Sequence, residues 1–348
     1  MAGSCLALHL IKQGKRILVF DEPTNNRASA VAAGLFNPIT GKYLKQSWMA
    51  ENLFPLLFQF YQGAEDLLKR KFFYPLPIYR PFISIQEQNE WMVQSEENRL
   101  KKFVSKINVS SAFSGQVNDP FGGVITESSG YLDTLPFMEA VRDFLNTREA
   151  YRETYFDFEK LIIRSEKILY ENIAATKIIF CDGIGIKTNP FFNWTPVRPL
   201  KGETLTISLN KEPEVIFNRG VYLVPTHGDK SFMVGATYSP NDTTLEITAR
   251  ARKELEGKLT DLIKIPFTVN HQNWGIRPTS PDRKPILGSH PEYKNLIVFN
   301  GLGTKGVSLA PYFSGLLATW FEGHQEIPLE VNIERFKSLY SKFSSPII

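Results

Sequence analysis

The first twenty-one residues, Met1–Asp21 (MAGSCLALHLIKQGKRILVFD), carry the pattern that decides the fold. Small and apolar residues recur at helical spacing along Cys5–Gln13, and Gly14 is the residue type that commonly ends a helix. The apolar run Ile17–Phe20 and the acid Asp21 follow at once, as in a buried parallel strand that ends in a carboxylate. The stretch therefore predicts a helix, a tight turn and a strand, which form the second half of a βαβ nucleotide-binding unit.

Two residues of this stretch have the spacing of nucleotide contacts. In a complete Gly-x-Gly-x-x-Gly unit, the third glycine lets the helix pack closely on the strand, and Gly3 fits that place. Asp21 is spaced like the acid that accepts hydrogen bonds from an adenosine ribose, which favours FAD or NAD over NADP. Taken alone, a glycine in a helix followed by an Asp-ended strand occurs in many α/β proteins, so the rest of the chain must decide.

Further glycine-rich and small-residue segments follow in a definite order. Ala28–Pro38 gathers small residues that suit close backbone approach to a flat ligand, with a tight structural loop as the alternative. Near the other end, Trp274–Gly288 precedes an apolar strand at Asn295–Asn300. Gly301–Pro311 then opens a final helix.

In order and character these segments resemble the D-amino-acid oxidase and glycine oxidase family of FAD-dependent oxidoreductases, over nearly the whole chain. Further matches lie at Gly130–Asp133, Ile178–Gly183, Arg198–Glu203 and Gly235–Tyr238. The resemblance implies an α/β protein, in which a Rossmann-like FAD-binding domain of the glutathione-reductase type carries an inserted antiparallel β-sheet substrate domain. Two loops depart from the family: Asp182–Gly185 replaces the usual Ala-Gly-Ala-Trp, and Leu302–Thr304 lacks the histidine or arginine often found there.

The strand and helix patterns divide the chain between these two domains. The FAD-binding domain is expected to comprise residues 1–52, 128–197 and 272–348, and the substrate domain residues 53–127 and 198–271. The substrate domain should form one antiparallel sheet that carries helices. Its predicted helices lie along Leu53–Leu68 and Leu245–Leu262, and its predicted strands lie around Ile78 and at Phe82–Ile85, Thr204–Leu209, Val221–Pro225 and Phe232–Ala236.

The resemblance also predicts the residues of the site. The cofactor-binding residues are expected to be Gly3, Asp21, Ser29, Ala33, Gly34, Gly183, Gly301, Gly303, Thr304, Lys305, Gly306 and Val307. Arg277 stands in the Gly-x-Arg-Pro stretch whose arginine binds substrate carboxylate in the family, and a guanidinium suits this because its planar fork makes two charge-assisted hydrogen bonds. The alternative for Arg277 is a structural ion pair with an acid such as Asp282. Tyr222 and Tyr238 are candidate pocket aromatics, with half-burial in a sheet as the alternative.

The implied chemistry is hydride transfer from the carbon that bears an amine to flavin N5, which gives an imine. No residue beyond the flavin is assigned a catalytic role, because an amine that loses its proton on binding needs no dedicated base. Some relatives attach flavin to a cysteine near the position of Gly275 and Ile276, and no cysteine stands there, so noncovalent FAD is expected.

The composition of the chain limits the classes of partner that it is expected to bind. The net charge of +4 is small for a nucleic-acid-binding protein, and no stretch approaches the roughly twenty apolar residues of a membrane span. The two cysteines suggest no disulfide framework, and the five histidines show no metal-ligand spacing, so neither a metal nor a membrane is expected. A cytoplasmic protein with a small-molecule substrate follows.

Three functions stay open at this point. The first is an FAD-dependent oxidase or dehydrogenase of a small amino acid or secondary amine. The second applies the same chemistry to a modified tRNA uridine, as in the oxidase half of the bifunctional methylaminomethyl-uridine enzyme, which the chain also resembles. The third is a noncatalytic module that has lost FAD binding. The exact amine, the electron acceptor and the oligomeric state do not follow from the sequence.

The resemblance finally predicts that Met1 is not the natural start. We expect about ten to fifteen further residues upstream, which encode one strand and a Gly-x-Gly turn. An extended chain is expected to fold better and to bind FAD more tightly than Met1–Ile348, because the added strand would be central to the parallel sheet.

Overall fold

The structure, a computed structural model, describes residues 1–22, 27–40, 45–226, 230–240, 242 and 244–343, without the side chains of residues 98, 342 and 343. Its helices are α1 (Ala2–Lys12), α2 (Ala50–Leu68), α3 (Ile85–Gln94), α4 (Asn98–Lys101), α5 (Thr134–Asn146), α6 (Ala249–Leu262), α7 (Gly306–Phe321) and α8 (Lys337–Phe343). Its strands are β1 (Val19–Asp21), β2 (Leu35–Phe36), β3 (Ile39–Thr40), β4 (Lys45–Gln46), β5 (Phe73–Pro75), β6 (Ile78–Pro81), β7 (Val104–Asn108), β8 (Gly123–Thr126), β9 (Gly130–Leu132), β10 (Tyr151–Glu153), β11 (Leu161–Ile163), β12 (Ile168–Tyr170), β13 (Ile173–Ala175), β14 (Ile178–Phe180), β15 (Arg198–Leu209), β16 (Ile216–Arg219), β17 (Val221–Pro225), β18 (Ser231–Gly235), β19 (Phe267–Thr279), β20 (Ile286–Ser289) and β21 (Leu296–Asn300). None of the helices in these ranges combines the length and apolar character needed to cross a membrane.

The chain forms two compact units. The first contains residues 1–25, 138–200 and 276–348, and the second contains residues 26–137 and 201–275. Residues 26–52 and 128–137, which the sequence pattern groups with the nucleotide-type segments, belong to the second unit. The assignment of FAD binding and substrate binding to separate domains remains a prediction.

Parallel strand pairs characterise the first unit. β1 runs parallel to β10, with Asp21 opposite Glu153, and β14 runs parallel to β21. β20 lies antiparallel on the other side of β21, whose residues are all buried. β1 is half-buried along its length, so the expectation of a buried strand is wrong there; among the described residues, only β10 pairs with it.

Helix α1 ends as the sequence predicts. Gly14 has φ +73° and donates its N–H to the carbonyl of Ile11 at 2.9 Å, which completes a left-handed helix end. Within the helix, α1 packs against α7, where Gly315 leaves room for the imidazole of His9. His9 Nε2 lies 3.2 Å from the carbonyl oxygen of Pro311, so a polar contact also joins the two helices.

An eight-stranded sheet organises the second unit, in the order β19-β15-β18-β17-β16-β6-β8-β7. The sequence predicts a wholly antiparallel sheet, which is wrong, because β16 and β6 run parallel. These two strands come from separate chain segments, so no hairpin fixes their relative direction. One apolar cluster joins Leu205 and Leu223 of the sheet to Leu255 and Leu259 of α6.

Two predicted elements differ from the structure. Phe82–Ile85 is not a strand: Ser84 caps α3 by accepting the N–H of Glu87 at 3.1 Å, and Glu87 in turn accepts the N–H of Ile83 at 2.9 Å. This pattern is a variant of the capping box, because Glu87 accepts from Ile83, the residue before the N-cap Ser84, instead of from Ser84 itself. Helix α6 begins at Ala249 rather than at Leu245, because Thr248 caps it through the N–H of Ala251.

Candidate functional site

The carboxyl ends of β14 and β21 meet at one edge of the first unit, since the strands are parallel and Phe180 lies opposite Val298. Asn300 Nδ2 donates to Asp182 Oδ1 at 2.8 Å and to the carbonyl of Gly183 at 2.9 Å. Asn189 Nδ2 donates to Asp182 Oδ2 at 2.9 Å. Amide side chains therefore join the two strand ends, at the place where α/β sheets commonly bind ligands.

Asp182 is an exposed residue whose carboxyl group lies partly buried between the amides of Asn189 and Asn300. Burial raises its pKa, and the hydrogen bonds from Asn189 and Asn300 only partly oppose that effect. Within the described ranges, Asp182 forms no ion pair with a lysine, arginine or histidine. The sequence identified Asp182 as a departure from the family, but its link to Asn300, 118 residues along the chain, was not predicted.

Two glycine turns at this edge lie beside the Gly-x-Arg-Pro stretch. Gly183 and Gly303 have φ angles of +56° and +54°, which favour glycine. A Cβ atom at Gly303 would lie 3.2 Å from Thr279 Cγ2, and one at Gly183 would lie 4.0 Å from Pro278 Cγ. The N–H of Gly303 also donates to the carbonyl of Pro278 at 2.9 Å. The fold thus brings together three segments that the sequence assigned to one site, with Arg277 next to Pro278.

The N-termini of two helices lie close to each other in this unit. Helix α7 begins at Gly306, where an added Cβ would lie 4.0 Å from the side chain of Met1, directly before α1. Gly3 in the first turn of α1 packs against Cys181, where an added Cβ would lie 3.5 Å from Cys181 Cβ. Free N–H groups at helix N-termini attract phosphate groups.

The residues present therefore fit a dinucleotide. The turns at Gly183, Gly301 and Gly303 adopt left-handed conformations, and Gly301 leaves 3.1 Å between an added Cβ and Ile286 Cγ1. Thr304, Lys305 and Val307 continue this loop into α7. Burial lowers the pKa of Lys305, and the charge of Arg283 lowers it further. The loop therefore contains a lysine that is more easily neutralised than an exposed one.

Asp21 has a partner that the sequence did not indicate. Tyr151 Oη, on the neighbouring strand β10, donates to Asp21 Oδ2 at 3.2 Å. Burial, followed by the charge of Asp21, raises the pKa of Tyr151 to about 12. The phenol therefore remains a neutral donor that orients the carboxylate at the end of β1. No motif marks Tyr151 in the sequence.

Arg277 lies half-buried on β19. Asp282, its suggested structural partner, pairs with Arg335 at 2.9 Å. The role of Arg277 in substrate binding stays a prediction.

Three predicted cofactor residues belong to the second unit. Gly34 has φ +65°, and a Cβ there would overlap the carbonyl oxygen of Leu132, while Leu132 donates its N–H to Gly34 at 3.1 Å. The close backbone approach expected here thus occurs against strand β9, as the alternative of a tight structural loop predicts. Ala33 is buried with Ile78, Ile216 and Val224, and Ser29 is half-buried in a turn. Their contact with FAD remains a prediction.

The two candidate pocket tyrosines differ. Tyr222 is half-buried on β17 and packs against the apolar cluster that contains Ala33. Its hydroxyl and ring lie over Gly235, where an added Cβ would meet Tyr222 Oη at 2.5 Å and Cζ at 2.8 Å. Tyr238 lies outside the strands and is 64% exposed. Tyr222 therefore shares a cluster with one predicted cofactor residue, Ala33.

A buried charged network in the second unit was missed by sequence reasoning. Lys201 Nζ donates to Asp242 Oδ2 at 2.9 Å and to Thr244 Oγ1 at 2.8 Å, and lies 3.8 Å from Glu203 Oε1. Glu203 accepts from Gln272 Nε2 at 2.7 Å. The hydrogen bond from Lys201 is the main reason that the pKa of Asp242 is lowered to about 2. The matching motif Arg198–Glu203 contains both central residues, but the sequence did not show that they are buried.

Comparisons with known proteins agree with this arrangement. The model of the DAO family of FAD-dependent oxidoreductases matches residues 1–320. The bifunctional protein ThiO/ThiG of Trichormus variabilis is 23% identical over 94% of this chain and 52% of its own length. The tRNA 5-methylaminomethyl-2-thiouridine biosynthesis bifunctional protein MnmC of Idiomarina loihiensis is 27% identical over 47% of this chain and 29% of its own length.

A solved structure has the same fold. The crystal structure of iminodiacetate oxidase from Chelativorans sp. BNC1 superposes with a TM-score of 0.77 and 19% identity, over 94% of this chain and 95% of that one. By contrast, the chain spans about half the length of the first of the curated relatives it matches.

Proposed function

Since this chain belongs to the DAO family of FAD-dependent oxidoreductases, we propose that it oxidises the C–N bond of a small amino acid or secondary amine, using noncovalently bound FAD. The observation that carries the proposal is the meeting of Gly183, Pro278 and Gly303 at the carboxyl edge of the parallel strands. The iminodiacetate oxidase of the same fold supports the substrate class, since iminodiacetate is a secondary amine that carries carboxylates.

The predicted site residues of the first unit then have the following roles. Asp21 binds the ribose, held in place by Tyr151, and the backbone N–H groups from Gly301 to Val307 bind the cofactor. Arg277 binds the substrate carboxylate through its guanidinium fork. FAD, when bound, supplies the hydride acceptor. The substrate amine binds without its extra proton, so no side chain needs to act as a base.

Oxidation of a modified tRNA uridine is the second candidate, favoured by the similarity to the tRNA-modifying protein of Idiomarina loihiensis. The net charge of +4 provides little attraction for phosphates, which argues for the small-molecule substrate. We place the protein in the cytoplasm on its two cysteines and the absence of an apolar segment of membrane length from its sequence.

The test begins with the absorbance spectrum of the purified protein. A bound-flavin spectrum is expected, and its release from denatured protein would show that FAD is noncovalent. Bleaching of the flavin under anaerobic conditions is then followed with amino acids, N-methyl amino acids and polyamines.

Bleaching by at least one carboxylate-bearing amine is the expected result. A chain that never binds flavin would favour the noncatalytic alternative. A flavoprotein that no amine reduces, and that binds tRNA with strong salt dependence, would favour the second candidate.

A further inference from the structure

A cavity of about 610 Å³ lies within the second unit, and Leu76 and Tyr131 of its wall also pack against the cluster that contains Ala33. Its wall includes Tyr74 and Tyr131, whose rings stack at 4.9 Å with an interplanar angle of 14°. Glu212 and Glu214, from the loop between β15 and β16, complete the wall together with Lys71. The cavity therefore combines aromatic surface with carboxylates.

The charge around this cavity is negative. Lys71 Nζ is paired with Glu65 at 2.8 Å, which neutralises the one cation of the wall. Glu212 and Glu214 are exposed and form no ion pair with any residue in the described ranges. Burial raises the pKa of Tyr131, and the charges of Asp133 and Glu212 contribute to the same shift. The tyrosine pair thus lies in a negative field.

One ring of the pair already lies near a cation. The ammonium group of Lys71 lies 5.3 Å from the centroid of the Tyr74 ring. Cations bind over tyrosine faces at such distances because the ring face is electron-rich. A ligand that brings its own cation and an apolar body would match both the rings and the free carboxylates.

We propose that this cavity binds an organic cation, a protonated or quaternary amine on a carbon skeleton. The site lies wholly in the second unit, and its occupation does not depend on the oxidation proposed above. Proline rings at Pro75, Pro213 and Pro225 supply apolar wall for the carbon skeleton.

The test compares two ligands of nearly equal shape on the full-length protein. Choline carries a quaternary ammonium, whereas 3,3-dimethylbutan-1-ol has a neutral carbon in its place. Isothermal calorimetry should show choline binding about five-fold tighter or more, with the difference shrinking as salt is added. Equal affinities for the two compounds would overturn the proposal.

Substitutions in the cavity wall test whether choline binds there. Glu212→Gln with Glu214→Gln should weaken choline binding about five-fold and leave the alcohol unchanged, because only the charges are removed. Glu166→Gln, in the β11–β12 hairpin of the first unit, is the matched control and should not change either affinity. Tyr74→Leu should weaken choline binding by a further two-fold to five-fold. Unchanged choline affinity in the double variant, with thermal unfolding as in the natural chain, would refute this site.

Discussion

Each unit of the molecule contains a carboxylate held by other side chains: Glu203 is buried, whereas Asp182 is exposed and only its carboxyl group is partly buried. Glu203 of the second unit lies beside the ammonium of Lys201, with side chains that are 2% and 0% exposed. Asp182 of the first unit is held by the amides of Asn189 and Asn300, with no ion pair in the described ranges. Amides supply hydrogen bonds but no compensating charge, so the partial desolvation of the Asp182 carboxyl group is not offset by a cation. The paired network serves stability, whereas the uncompensated edge coincides with the candidate cofactor site.

The largest effect is expected from removing the cation of the paired network. Lys201→Met should lower the free energy of unfolding by about 3–5 kcal/mol, because Glu203 loses its buried cation. Urea unfolding measures the loss. Lys258→Met removes an exposed helix ion pair with Glu254 and should cost only about 0.3–0.5 kcal/mol. Equal losses in the two variants would show that the network around Lys201 stabilises the second unit no more than an exposed ion pair does.

The candidate site should show the opposite pattern, with a large effect on substrate and little on stability. Arg277→Lys keeps the charge but loses the guanidinium fork. We expect kcat/KM for carboxylate-bearing amines to fall roughly thirty-fold or more, as for the loss of about 2 kcal/mol, with FAD content unchanged. Arg250→Lys, on the exposed surface of α6, is the control. Full turnover of every carboxylate substrate by Arg277→Lys would refute the assignment.

Asp21 and Glu153 offer a matched test of cofactor binding, since they lie opposite each other on β1 and β10. Asp21→Ala should weaken FAD binding by roughly 1.5–3 kcal/mol, the contribution of a charge-assisted hydrogen bond. Glu153→Ala should leave FAD affinity unchanged. Fluorescence titration of the flavin-free protein measures both. If Asp21→Ala retains FAD as tightly as the natural chain, Asp21 is only the acid at the end of a strand.

The smallest effect is a pH dependence of opposite sign in the two units. Burial raises the pKa of Asp182, so its contribution to stability is fully present below the unfolded pKa of about 3.9 and is lost as pH rises through the folded pKa. Relative to Asp182→Asn, the natural chain should therefore lose stability as the pH rises from about 4. A constant loss caused by the altered hydrogen bonds does not affect this slope.

Asp242 is the control for the direction in which stability changes with pH. Its pKa is lowered to about 2, so its contribution is present above the unfolded pKa and is lost as the pH falls toward 2. Asp242→Asn should therefore reduce the stability of the protein most at neutral pH. Equal slopes for the two variants, measured by urea unfolding from pH 2 to pH 7, would show that the two carboxylates are in similar environments.

Local pattern was enough to predict much of the fold. The helix that ends at Gly14, strand β21 and helix α7 all follow from apolar periodicity and glycine positions, and the family resemblance is confirmed. The strand predicted at Phe82–Ile85 is wrong because the helix-start signal, Ser84 three residues before Glu87, was not weighed against the apolar residues around it. That signal was present in the sequence.

The side-chain networks were not predictable in the same way. Lys201 and Asp242 are 41 residues apart, and Asp182 and Asn300 are 118 residues apart, so only the folded chain shows that they meet. A single sequence also gave no sign that Tyr151 supports Asp21. Such contacts depend on strand order, which local periodicity does not specify.

The packing of Tyr222 on Gly235 makes the two positions interdependent. Because the phenol fills most of the space above the glycine, an added carbon at residue 235 needs a smaller side chain at residue 222 and a small shift of the Thr204 methyl group, which it would meet at 2.9 Å. In a library of variants, enlargements at residue 235 should therefore survive only together with reductions at residue 222, and each change should be harmful alone. A design that reshapes this face of the sheet should therefore change residues 222 and 235 together.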